Sequence, residues 1–230
     1  TSVLTFSIIQ NMDKKVLFFD IDGTLWNYKN EIPDSTVEAV IRVRKAGHLA
    51  FINTGRTRGY VRNEALLGIG FDGIVSGCGS MIEYGDDVIY DSQIPQELAV
   101  EIVEAVRRYG CRPILEGSEY LYMDDEDFRN DWYGKKLTRE LGDRLKSIKD
   151  EWGRWEIQKL SLDTRDGDID GCEKEYGDRF DFIKHDLSVC ELVPSGFSKG
   201  TGVIKVCELL GIPVSDSFAF GDSVNDKEML

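Results

Sequence analysis

Residues 16–19, Val-Leu-Phe-Phe, form an apolar run that stops at Asp20, and a second aspartate stands at 22 before Gly23 and Thr24. A strand apolar on both sides belongs inside a parallel sheet, because only there are both faces covered. The run therefore predicts an α/β chain that aims a buried strand at two mutually repelling carboxylates. The surrounding residues agree. PDSTVEAVIRVRKAG (33–47) predicts a helix capped by Ser35 and Glu38, with Val37, Val40, Ile41 and Arg44 along one face and Gly47 at its end. HLAFINTG predicts a second buried strand ending at Thr54, residues 57–67 a helix, and FDGIVSG (71–77) a third strand. Strand, helix, strand, helix, strand is the doubly wound order. It returns near the end of the chain. Ser198 caps a predicted helix through Val203, Ile204, Cys207 and Leu210, and SFAFGD is a further apolar strand leading to Asp222.

The middle of the chain has a different grammar. PQELAVEIVEAVRRYG predicts a helix, RPILE and EYLYMD a hairpin around Gly117-Ser118, and GCEKEYG a short helix. WEIQKLSLD alternates like a half-exposed antiparallel strand, and FDFIKH and LSVCELV close the segment as strands. The expected organisation is an N-terminal extension at 1–11, a doubly wound core at 12–83 and 190–230, and an inserted α+β domain at 84–189.

Three segments resemble binding motifs and are better explained otherwise. GIGFDG (68–73) has dinucleotide-fingerprint spacing but follows a helix and opens a strand, the reverse of what that motif requires. DGDIDG (166–171) starts like a calcium loop, yet its twelfth position is Gly177, where a bidentate glutamate is needed. DDEDFRND (124–131) reads as a solvated loop.

Composition narrows the function classes. The formal net charge is −14 and no basic patch offsets it, which argues against a nucleic-acid partner. No stretch approaches the ~20 apolar residues of a membrane span. The five cysteines form no C-x-x-C pair, which fits reduced thiols in a cytoplasmic protein. Residues 1–11 lack a basic region and a small-residue cleavage site, and Met12 resembles a natural start.

Four short stretches sit where core elements start or stop: DIDGT (20–24), NTGR (53–56), SKG (198–200) and GDSVND (221–226). Three follow predicted strands, and open α/β sheets bind ligands at the carboxyl ends of their strands. Each stretch alone is weak, but the ordered set is specific. Asp20, Asp22 and Asp222, with Asp226 close behind, are expected to converge on one crevice. Two such charges ~4 Å apart repel by about 4 kcal/mol at an effective dielectric of ~20. Either a cation among them or a shifted protonation resolves that cost. Hard carboxylate oxygens suit Mg²⁺, and neither His48 nor His185 lies in these stretches. Lys199 opens a helix, so its ammonium and the helix's free N–H groups favour an anion. A magnesium ion beside Lys199 and Thr54 makes a phosphate site. There one aspartate can attack phosphorus while its neighbour two residues on moves the protons.

These stretches resemble the four signature motifs of the haloacid dehalogenase-like superfamily, in the form of its Cof-type hydrolase branch of sugar and small-metabolite phosphatases. The resemblance covers both core blocks; the middle matches by size and position. It implies Asp20 as nucleophile and magnesium ligand. Asp22 becomes the general acid/base, giving its backbone carbonyl to the metal. Thr54, Gly55, Lys199 and Asn225 bind the phosphoryl group, Asp222 ligates magnesium and Asp226 supports the metal's water shell. Ion-pumping relatives carry lysine where Asp22 stands, so Asp22 implies hydrolysis of the phosphoenzyme. Residues 21–53 leave no room for a cap, whereas 55–198 do. The insertion resembles the second cap type (C2B-like), which closes over the site and shapes the substrate pocket. Trp132, Tyr133, Arg129 and the hairpin at 117–123 are candidates for lining that pocket. Family members continue past the fourth motif with another strand and a helix. The chain stops at Leu230, so either this is a fragment or the sheet lacks an outer strand.

The implied function is a Mg²⁺-dependent cytoplasmic phosphatase of a small phosphorylated metabolite, with no nucleic-acid or membrane partner. A sugar-phosphate mutase using the same aspartyl phosphate, or a non-catalytic binder of a phosphorylated ligand, shares the four motifs.

Overall fold

A computed structural model describes residues 14–128, 131–185 and 188–230. The expected extension at 1–11 and the pocket candidate Arg129 lie outside them. The chain divides into two compact units. One holds the described residues to Gly55 together with Asn63–Asp91 and Ser198–Leu230; the other holds Arg56–Arg62 and Ser92–Phe197. The sequence expectation set the limits of the insertion at 84 and 189.

The first unit begins with β1 (Val16–Phe19), α1 (Asp34–Lys45), β2 (Leu49–Asn53), α2 (Glu64–Leu67), β3 (Gly73–Ser76), β4 (Met81–Tyr84) and β5 (Asp87–Asp91). The second runs through α3 (Gln96–Arg108), β6 (Arg112–Glu116), β7 (Leu121–Tyr122), α4 (Asp125–Phe128), α5 (Trp132–Leu141), β8 (Leu145–Lys146), β9 (Lys159–Asp163), α6 (Ile169–Tyr176), β10 (Phe180–Lys184) and β11 (Val189–Pro194). The chain then returns to the first unit with α7 (Lys199–Leu210) and β12 (Ser217–Phe220).

The first sheet has the order β12-β1-β2-β3-β4-β5. Its four leading strands are parallel, and β4 and β5 add an antiparallel hairpin. Strand order reverses at β1, because β2 and β3 build outward on one side while β12 lies on the other. That reversal is the switch point of a doubly wound sheet, and ligands bind outside the carboxyl ends of its strands. Asp20 follows β1 there, and its amide donates to the Phe220 carbonyl at 2.9 Å. The core joins Val16, Phe18, Phe51, Val75 and Ile82 of the sheet to Val203, Val206 and Cys207 of α7. Burial of this apolar area is the main favourable term.

α1 is preceded by Pro33 and has no side-chain cap, so Ser35 and Glu38 lie inside the helix and form no capping box. Pro33 pre-sets the backbone, and Asp34 with Arg42, Arg44 and Lys45 complements the helix dipole. α7 has the expected cap: Ser198 and Thr201 bond reciprocally, and Gly211 ends the helix with φ +65°.

In the second unit the sheet order is β10-β11-β9-β6-β7-β8, antiparallel except between β7 and β8. α3 and α6 contribute Ile102, Val106, Cys172 and Tyr176 to a core that also holds Trp155, Leu160 and Leu192. Phe128 and Leu137 pack with Ile114 and Leu121 in a second cluster. Three expectations need correction. β9 is not half-exposed: four of its five residues are buried. Residues 57–67 are not one helix. Only Glu64–Leu67 is α-helical, because the Gly59 amide turns away to the Gly117 carbonyl at 3.1 Å. The acidic run from 124 is not a solvated loop. Asp124 is buried and accepts from Arg107, Ser147 and the Lys149 amide, while Asp131 caps α5. Asp168, in the rejected calcium loop, caps α6 through the Gly171 amide. Trp132 and Tyr133 line a cavity of about 470 Å³ with Ser161, Arg165 and Glu191; the 117–123 hairpin does not contribute to it.

β9 also carries a buried cation. The Lys159 ammonium bonds Glu191, stands 3.8 Å from Glu116, and is 2 % exposed. His185 Nε2 lies 3.0 Å from the other Glu191 oxygen. Burial alone would raise the Glu191 carboxyl, but Lys159 and His185 outweigh it and bring it from 4.5 down to about 2. A depressed carboxylate stabilises the fold above its unfolded pKa and loses that contribution as pH falls towards the folded one. Glu191→Gln is expected to lower unfolding free energy by about 3 kcal/mol at pH 7. The deficit should shrink between pH 4.5 and about 2, as denaturant titrations over that range would measure.

Candidate active site

All four motif stretches meet at the carboxyl end of the first sheet. The Lys199 ammonium is their centre. It donates to Asp20 Oδ1 and to Asp226 Oδ1, each at 2.6 Å, and to Asn225 Oδ1 at 3.1 Å. Lys199, Asp20 and Asp226 are all buried. α7 delivers the lysine from its first turn, and Ser198 capping fixes where that turn begins.

Asp226 is held from both sides. Its second oxygen accepts from the Asp222 amide at 3.1 Å and from the Ser223 amide and hydroxyl at 2.9 Å each. Burial would raise this carboxyl, but the Lys199 and Ser223 bonds prevail and keep it below its usual range. Asp20 goes the other way. Burial pushes it up, Lys199 pulls it down, the Asp226 charge adds to the rise, and the net direction is upward. Burial opposes the charged lysine too, yet the two aspartates hold Lys199 above its ordinary value. One ammonium between two buried carboxylates leaves one negative charge uncompensated, and Asp20 carries the strain.

Asp222 completes the cluster from an exposed position. Carboxylate oxygens of Asp20, Asp222 and Asp226 lie within 4.8 Å of one another. Thr24 Oγ1 approaches Asp222 Oδ1 at 3.5 Å. Gly23 lies flush against that side chain: a Cβ there would come within 2.1 Å of Asp222 Oδ2, and its φ is +83°. Only glycine suits both demands. Three hard oxygen donors with excess negative charge fit a small divalent cation such as Mg²⁺.

The Asp22 carboxylate is not in this cluster. It accepts from Trp26 Nε1 at 2.9 Å. Thr54 is buried just past β2, with its amide on the Val75 carbonyl and its carbonyl accepting from Cys78. Gly55 follows and closes that stretch of the first unit. Asn225 accepts from Ser223 Oγ at 2.5 Å as well as from Lys199. The sequence reading gave Asp226 only a supporting place, whereas it is the ionised partner of Lys199. It overlooked Asn53, whose signal was a polar residue ending an otherwise apolar strand.

A fold with this switch-point cluster defines a hydrolase class, and the comparisons agree. The family model of haloacid dehalogenase-like hydrolases matches residues 17–230. YkrA of Bacillus subtilis strain 168, provisionally named a phosphatase, is 30% identical over 227 residues, covering 95% of this chain and 83% of YkrA. An HMP-PP phosphatase of Yersinia enterocolitica is 26% identical over 92% of this chain and 78% of its own. A crystal structure from Geobacillus kaustophilus HTA426 superposes with TM-score 0.78 at 27% identity, over 94% of this chain and 83% of that one. The subclass IIB sugar phosphatase BT4131 shares the fold, with TM-score 0.75 at 24% identity over 94% and 84%. The chain belongs to the haloacid dehalogenase-like hydrolases. Within them it stands with the Cof-type phosphatases.

Lys199→Met should leave Asp20 and Asp226 facing each other without a cation. The expected loss is about 3–5 kcal/mol at pH 7 in metal-free buffer. Without the ammonium Asp20 would sit further above its unfolded value and Asp226 would lose the bonds that now hold it down, so the deficit should shrink as pH is lowered. Urea unfolding at several pH values measures this.

Proposed function

We propose that the protein is a Mg²⁺-dependent phosphatase of a small phosphorylated metabolite and works through an aspartyl phosphate on Asp20. The observation that carries this reading is the Lys199 ammonium, 2.6 Å from both Asp20 and Asp226, with the Asp222 carboxylate alongside. One of the relatives is named as a phosphatase of HMP-PP, a small phosphorylated compound. No helix among the described residues is long and apolar enough to cross a membrane. The −14 charge disfavours nucleic acid, and a cytoplasmic location fits the reduced cysteines.

In the proposed reaction Asp20 Oδ attacks phosphorus in line with the ester oxygen. The O–P bond to Asp20 forms as the P–O bond to the leaving group breaks. Asp22 delivers a proton to that oxygen, so the alcohol departs neutral. Water then attacks the acyl phosphate, Asp22 takes the water's proton, and inorganic phosphate leaves a restored Asp20 carboxylate. Lys199 holds the phosphoryl oxygens and offsets charge that spreads over them in the transition state. Thr54, the Gly55 amide and Asn225 complete the phosphoryl grip. Bound at Asp20, Asp222 and the Asp22 backbone carbonyl, with Asp226 beside it, magnesium would supply Lewis-acid stabilisation of the transferring group. The raised carboxyl of Asp20 suits the role: burial disfavours its free charge, and that charge is used up when the oxygen bonds phosphorus in the acyl phosphate.

Phosphate release from an aryl phosphate, with and without Mg²⁺, is the primary test. Asp20→Asn is expected to remove activity by on the order of 10³-fold or more, as loss of a covalent nucleophile does; an unaffected rate rules out the mechanism. Asp22→Asn should cost about 10²–10⁴-fold on alkyl phosphates. The penalty should be smaller for the first step on aryl phosphates, whose leaving groups need no proton, and rapid quenching would reveal accumulated phosphoenzyme.

A further inference from the structure

Asn53 has no part in the proton and phosphoryl transfers described above, yet it is the fully buried last residue of β2. Its side-chain nitrogen donates to the Lys199 carbonyl at 2.9 Å and to Met229 Sδ at 3.4 Å. The Met229 amide in turn donates to the Asp226 carbonyl at 2.9 Å. One NH₂ group thus joins the strand before Thr54, the first turn of α7 and the turn that bears Asp226. Its own carbonyl meets no donor among the described residues. A half-satisfied buried amide is costly, and an apolar side chain of similar size avoids that cost.

The surroundings explain what the amide adds. α7 starts on bare backbone. A Cβ on Gly202 would meet Val75 Cγ1 at 2.7 Å and Gly79 Cα at 3.1 Å; one on Gly200 would meet the Glu228 carbonyl at 2.4 Å. Such surfaces allow close approach but are non-directional and set no register. The Asn53 amide supplies a directed bond where register matters, one residue's backbone from the ammonium at the centre of the cluster.

We propose that Asn53 is a positioning residue: its amide fixes the Lys199 and Asp226 turns on the sheet so that the ammonium lies between both carboxylates. The geometry stands alone, while its kinetic consequence rests on the phosphatase reading. The Lys199 carbonyl also accepts from the helical N–H four residues on, so losing Asn53 does not orphan it. Position and stability are therefore separable.

The test compares full-length wild type with Asn53→Leu, and with Asn53→Ala should the leucine variant not fold. The thermal midpoint is expected to hold within about 4–8 °C, or to rise. kcat and kcat/KM on an aryl phosphate should fall together by about 10-fold or more, since misplacement of order 1 Å costs up to ~10²-fold. A crystal structure of the variant should show the ammonium withdrawn beyond hydrogen-bond distance from Asp20 or Asp226. A lowered midpoint with unchanged kcat marks a merely structural amide and overturns the proposal. So does a variant structure in which Lys199 keeps both contacts. Should wild type release no phosphate, the phosphatase reading fails, and the position of Lys199 in the variant crystal still decides the proposal.

Discussion

The site depends on one ammonium shared by two buried aspartates. Lys199 can satisfy Asp226 or Asp20 fully in charge, but not both. Asp226 wins because backbone and hydroxyl donors from Ser223 also hold its other oxygen. Asp20 therefore bears the electrostatic debt of the cluster, at the end of β1 where the sheet reverses its strand order. That imbalance would suit the nucleophile of the proposed mechanism: the charged carboxylate is poorly solvated, and Lys199 holds it in place. A cation joining Asp20, Asp222 and Asp226 would relieve the same imbalance, which is why a metal-assisted reading and the geometry agree.

The sheet order makes this arrangement affordable. β1 is central, so its end is flanked by the loops after β2 and β12. Each loop contributes a different tool: Thr54 and Gly55 from one, Asp222 to Asp226 from the other. α7 adds the lysine from the helix start that packs over the same strands. None of these residues needs a long reach, and the cluster is built from short turns on a rigid base.

Much of this was legible in the sequence because the signals are local. Val16–Phe19 is apolar on both faces, Ser198 precedes a periodic apolar segment, and the four acidic or basic stretches fall at element ends. What escaped was settled by tertiary contact. The strand WEIQKLSLD read as half-exposed, but Glu191 lets Lys159 be buried within it. Residues 57–61 carry helix-compatible side chains, but the Gly59 amide is taken by Gly117. Ser35 could cap a helix, yet Pro33 starts it earlier. Asp124 read as solvated because nothing in its neighbourhood announces Arg107 and Ser147. Asn53 was passed over because a single polar residue beside a motif has no periodicity to betray it.

The pairing of β1 with β12 has a consequence for biosynthesis. The strand that ends at Asp20 is translated before its partner on one side and the cation for that carboxylate, which are encoded some 180 to 200 positions later. Until that stretch is translated, the nascent chain presents an unzipped apolar edge next to two uncompensated acids.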